Sequence, residues 1–174
     1  MAESQENERT ERILKRKYAD DIEALSDEEV RKRRQECRLE RDYQGFLRRL
    51  LQTRLQILEA VLKTREAGED VSIVDQLPTI LAASPPRAPS RGAALHGRLP
   101  QEEVDRANSR IERLLGSAAF SDPTSLDDEQ LGFVLAALGV EERRVSDTRR
   151  SVLGVLNKVE GEIRRRYKER PASS

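Results

Sequence analysis

Cysteine occurs once in this chain, at Cys37, and histidine once, at His96. One thiol cannot close a disulfide within the chain, and one thiol with one imidazole supplies no ligand cluster for zinc, so neither a disulfide framework nor a metal site is expected. Aromatic residues are 3% of the total and tryptophan is absent, which leaves too few rings to stack the bases of a single strand. No stretch approaches the roughly 20 apolar residues that span a bilayer. Met1 to Glu11 is polar and acidic rather than a leader with an apolar centre, so a cytoplasmic protein without membrane contact is expected. An excess of one charge is missing too: Lys plus Arg and Asp plus Glu are 32 each. The molecule as a whole therefore has no electrostatic reason to seek nucleic acid.

Catalytic signatures are absent as well. There is no glycine-rich phosphate loop and no nucleophile motif. His96 lies in a Pro/Ser/Gly-rich stretch with no acid or serine placed to activate it. Carboxylates are abundant, but on charged helices they are expected to face solvent, without the desolvation that tunes an acid or base. The chain is read as a binder and not an enzyme, with no catalytic residues.

What is present is charge and helix periodicity. Charged residues are 37% and apolar residues 36% of the chain, so any core is a narrow seam between long helices and the fold class is all-α. A polar segment over 1–24 has one candidate short helix through Ile13, Leu14, Tyr18 and Ile22. Ser26 followed by Glu29 is a capping-box start, and the helix it opens covers 25–67, with Leu47, Leu51, Leu55, Leu58 and Leu62 as its stripe. Such a rod is about 60 Å long at about 1.5 Å per residue and needs a partner helix. Residues 68–99 are Pro/Ser/Gly-rich and read as a linker. A short amphipathic helix over 100–116 follows, and a second long helix covers 125–168 with Val145, Val152, Leu156, Val159 and Ile163 on its seam. Residues 169–174 form a disordered tail, and Gly45 and Gly139 are the points where the rods could weaken.

The two long helices are related. An offset of 101 residues brings Leu25, Asp27, Glu28 and Val30 onto Leu126, Asp128, Glu129 and Leu131. The same offset superimposes Glu40 on Glu141, Arg48 on Arg149, Leu55 on Leu156 and Arg65 on Arg166. A shared start and a shared seam at one offset favour duplication over chance matching of charged helices. Packed as a long antiparallel hairpin, a coiled coil with short accessory helices, two such copies have approximate twofold symmetry. Polar rows flank both seams: Arg41, Gly45, Arg48, Gln52 and Gln56 in the first helix, and Glu142, Ser146, Arg149, Leu153 and Asn157 in the second. By residue type alone, such rows are more often the interhelical salt-bridge positions of a coiled coil than a ligand site.

The spacing of these rows resembles the RsiG family of actinobacterial anti-sigma factors. In that family each helix carries Glu, Ser four residues on, Arg three on, Gln four on and Asp four on. Phe46 to Leu55, Val74 to Leu81 and Glu162 to Tyr167 are also similar to it. The resemblance implies a partner of the WhiG-like sigma-factor type and cyclic di-GMP as a regulatory ligand between the helices, with no required cofactor. The candidate nucleotide-binding residues it implies are Arg41, Arg48, Gln52, Gln56, Glu142, Ser146, Arg149 and Asn157. Five of the ten row positions match the motif, namely Arg48, Gln52, Glu142, Ser146 and Arg149. Arg41 stands for Glu, Gly45 for Ser, Leu153 for Gln, and Gln56 and Asn157 for Asp. An amide accepts from a guanine edge more weakly than a carboxylate, and Leu153 cannot accept at all. Weaker binding of cyclic di-GMP, binding of another nucleotide, and a structural coiled coil that has lost the ligand all remain open readings.

Two other features have bland explanations. The basic runs Arg31–Arg34 and Arg164–Arg166 are interleaved with Glu28, Glu29, Glu36 and Glu40 and with Glu160, Glu162 and Glu169, as on a solvated helix face, so direct DNA binding is not expected. Cys37 falls on the seam side of the first long helix and is read as a small core residue.

Overall fold

The computed structural model describes residues 2–66 and 99–169. Apart from Leu99 and Glu169, the linker and tail read at 68–99 and 169–174 lie outside the described residues. Every regular element among the described residues is helical. In chain order they are α1 (Ala2–Leu14), α2 (Arg16–Asp20), a 3₁₀ turn at Ile22–Ala24, α3 (Asp27–Glu66), α4 (Gln101–Ser121), a second 3₁₀ turn at Pro123–Ser125, and α5 (Asp128–Glu169). The polar start of the chain thus holds two helices and a turn where one short helix was expected. Gly45 and Gly139 both sit inside unbroken helices.

The helix starts follow from their caps. The Ser26 hydroxyl accepts from the Glu29 amide at 3.2 Å, whereas at the second long helix the box closes in both directions. There Asp127 Oδ1 accepts from the Gln130 amide at 2.8 Å, and Gln130 Oε1 accepts from the Asp127 amide at 3.0 Å. α4 is interrupted at Gly116, whose φ of 72° and ψ of 155° lie in a positive-φ extended region that glycine adopts without strain and residues with a Cβ do not.

The chain forms two compact units, residues 1–45 with 145–174, and residues 46–144. In the first, Ile13 and Tyr18 from α1 and α2 pack with Cys37 of α3 and with Val152 and Leu156 of α5, and a neighbouring cluster joins Ile22, Val30 and Val159. In the second, the buried apolar residues among those described are Leu47, Leu51, Leu58 and Val61 of α3, Ala107, Ile111 and Leu115 of α4, and Leu131, Val134 and Leu138 of α5. The α3 and α5 segments run antiparallel in each unit. Asp27 pairs with Arg166 at 2.8 Å and Arg38 with Glu160 at 2.7 Å in the first; Arg65 pairs with Asp128 at 2.9 Å in the second.

These ion pairs carry the 101-residue offset into three dimensions. Asp27–Arg166 and Asp128–Arg65 are equivalents of one another. Each arginine also donates to a carbonyl of the 3₁₀ turn that precedes the aspartate: Arg166 to Glu23 at 3.2 Å, Arg65 to Thr124 at 2.7 Å. The correspondence extends to the short helices. Arg9 of α1 holds the buried Glu40 at 2.6 Å, and Arg110 of α4, its counterpart, holds Glu141. Asn7-Glu8-Arg9-Thr10-Glu11-Arg12-Ile13-Leu14 aligns at that offset with Asn108-Ser109-Arg110-Ile111-Glu112-Arg113-Leu114-Leu115, and the break at Lys15 aligns with that at Gly116. The duplicated element is therefore helix, break, helical turn, 3₁₀ turn and long helix. Each unit combines the N-terminal part of one copy with the C-terminal part of the other copy's long helix.

The abundant carboxylates are not all solvated, as their sequence setting suggests. Glu40 is 0% exposed, and Glu103, Glu141 and Glu162 are buried as well. Glu40 accepts from Arg9 and from the Thr10 hydroxyl at 2.6 Å each and from Gln44 at 2.7 Å. Burial of a carboxylate is tolerable only with this degree of pairing.

Candidate functional site

The two polar rows fall partly in each unit. Within residues 46–144 the rows face one another: Gln52 Nε2 donates to Glu142 Oε1 at 2.9 Å, and Arg48 Nη1 lies 3.9 Å from the same oxygen. Arg48 is otherwise under-satisfied. Its Nε is buried with no hydrogen-bond partner, while its side chain as a whole remains 38% exposed. A guanidinium paired only at 3.9 Å on a partly exposed side chain can turn its terminal N–H groups to an acceptor such as a guanine edge or a phosphate. Gln56 is half-buried on the same helix.

Within residues 1–45 and 145–174 the rows also meet. A Cβ placed on Gly45 would lie 3.5 Å from Arg149 Nε, so the Arg149 side chain passes over the position where the first helix has no side chain. Ser146 and Arg149 are half-buried. Arg41 turns to its neighbour, with Nε 2.9 Å from Asp42 Oδ1, and is thereby neutralised. Asn157 is exposed. The structure thus brings together Arg48, Gln52 and Glu142 in one unit and Gly45 with Arg149 in the other. Arg41 and Asn157 are not drawn into either group.

The electrostatics around these rows are structural. Glu162 accepts two bonds from Arg165, at 2.7 and 2.8 Å, and one from Arg166 at 2.6 Å, and these hold its carboxyl at about 2. Burial pushes the Cys37 thiol up to about 11, which keeps it protonated and unreactive, as fits its place in the core. Tyr18, buried and donating to Glu36 at 2.7 Å, is likewise raised. Among the described residues, no group of His, Cys, Asp and Glu is placed to hold a metal ion, and no helix is long and apolar enough to cross a membrane.

Residues 16–81 match the family model described as RsiG-like. Over this segment the chain is similar to the RsiG-like family. It spans α2, the first 3₁₀ turn and α3, and so includes the row from Arg41 to Gln56. No curated protein matches the chain.

The pairs Arg9–Glu40 and Arg110–Glu141 were missed as a feature of the sequence. Glu40 and Glu141 coincide at the repeat offset, and the signal that would have found their partners is the second run of identities one helix earlier, Arg9-x-Glu11-Arg12 against Arg110-x-Glu112-Arg113.

Proposed function

We propose that the protein is an anti-sigma regulator that sequesters a WhiG-like sigma factor and holds cyclic di-GMP, or a related anionic guanine nucleotide, against the polar rows of α3 and α5. The reading rests on the RsiG-like match over residues 16–81 and, in the rows, on Arg48, whose partly exposed guanidinium is paired only loosely with Glu142. Arg48 and Arg149 would contact guanine O6 and N7 or a phosphate. Gln52, Ser146 and Glu142 would complete hydrogen bonds to the base, and Gln56, Asn157 and Arg41 would contribute as weaker or displaced equivalents. Ligand bound between two helices fixes their spacing, and so favours the state that fits the partner through differential affinity.

Calorimetric titration of the full chain with cyclic di-GMP, alone and with the sigma factor, tests the proposal. Saturable heat that Arg48→Ala and Arg149→Ala each abolish supports it. No heat at high micromolar ligand with the partner present removes the nucleotide. A second reading is favoured by the Gln52–Glu142 bond, which already closes one part of the rows: a coiled-coil interaction protein that has lost nucleotide binding. It predicts capture of its partner regardless of nucleotide.

A further inference from the structure

α5 has an apolar back as well as an apolar front. From Leu131 to Val140 the sequence Leu-Gly-Phe-Val-Leu-Ala-Ala-Leu-Gly-Val has no polar side chain. Leu131, Val134 and Leu138 are buried on the inner side. Phe133 and Val140 point away at 77% and 58% exposure, with Gly132 and Ala136 exposed beside them. A helix apolar all round belongs in an interior, so an exposed apolar back calls for a covering surface. The equivalent stretch of the other copy, Val30 to Leu39, has Arg31, Lys32 and Arg38 on its exposed side and needs none.

We propose that this face is a homodimer interface in which two copies of α5 pack antiparallel about a twofold axis at Ala136. The face is self-complementary in that register. Phe133 of one copy lies over Gly139 of the other, Val140 over Gly132, and Ala136 over its own equivalent, so each large side chain meets a glycine and the backbones approach closely at the axis. A Cβ on Gly132 would meet nothing within 4 Å, and Gly139 is bordered only by the Arg143 guanidinium at 3.8 Å. The charges agree with the packing. Glu129 and Arg143, both exposed, bracket the apolar residues at opposite ends of the face, and the antiparallel register sets each against the other's counterpart. A face of about four turns buries less than the roughly 1,200 Å² of stable complexes, so the dimer is weak and dependent on concentration.

Sedimentation equilibrium of the full chain from low to high micromolar concentration reads the association, with circular dichroism confirming that each variant is folded. The expected result is a monomer–dimer equilibrium whose dissociation constant rises at least about tenfold in Ala136→Glu, where two carboxylates meet at the axis. Mixing Ala136→Glu with Ala136→Lys restores association. Glu129→Arg and Arg143→Glu each weaken it, and the double variant recovers it. Ala136→Cys cross-links to its own copy under mild oxidation. A chain that stays monomeric throughout overturns the proposal and leaves the face to a helix of a different protein. A dimer indifferent to Ala136→Glu overturns it equally.

Discussion

At the scale of single residues, the most consequential side chains are buried acids. Glu40 is fully enclosed and bonded by Arg9, Thr10 and Gln44, so removing Arg9 strands a charge in the interior. Arg9→Ala should cost about 3 kcal/mol, the usual consequence of breaking a buried pair from one side. Replacing the pair together, Arg9→Met with Glu40→Leu, should recover most of that, as read from urea midpoints. Glu162 gives a pH signature. Its carboxyl is depressed to about 2 by Arg165 and Arg166, so its contribution to stability is present above the ordinary carboxylate range and is lost as pH falls from about 4 towards 2. Glu162→Gln should flatten the acid limb of a plot of stability against pH over that window and leave the neutral region's slope unchanged. The position of Cys37 on a seam could be read from the sequence; the burial of Glu40 could not, because a glutamate among arginines reads as a solvated face until the helix that covers it is known.

At the scale of elements, the start of the first long helix and the end of the short helix at residue 116 were legible, whereas the continuity of the long helices through their glycines was not. Ser26 with Glu29, and Asp127 with Gln130, are local chemistry, and they cap as their spacing requires. The cap at Asp127 bonds in both directions, so Asp127→Ala should lower stability by about 1 kcal/mol, and by more than Ser26→Ala, in paired thermal melts. Gly45 and Gly139 were the expected weak points, yet long helices with a packed seam absorb the roughly 1 kcal/mol that a glycine costs. The break occurs instead at Gly116, where φ is 72° and a side chain would meet nothing within 4 Å. Gly116→Ala should therefore cost about 1 kcal/mol through backbone strain alone, with no clash to relieve. The rows were legible as rows; whether each member faces its counterpart depends on packing, which turns Arg41 towards Asp42 and leaves Asn157 exposed.

At the scale of the whole molecule, duplication determines how stability is shared. Each unit draws its N-terminal helices from one copy and the end of a long helix from the other, and α3 and α5 run from one unit into the other without a break. A segment of helix that loses its packing also frays the turns that follow it, because helix formation is cooperative along the chain. The two units should then unfold in one transition. All three tyrosines, Tyr18, Tyr43 and Tyr167, belong to the unit of residues 1–45 and 145–174. Their near-ultraviolet signal reports that unit alone, while far-ultraviolet dichroism reports both. Arg110→Ala, which strands Glu141 in the other unit, should shift the tyrosine midpoint as far as the dichroism midpoint. If the tyrosine signal held at its wild-type midpoint while the dichroism split into two steps, the copies would be energetically separate despite sharing both rods.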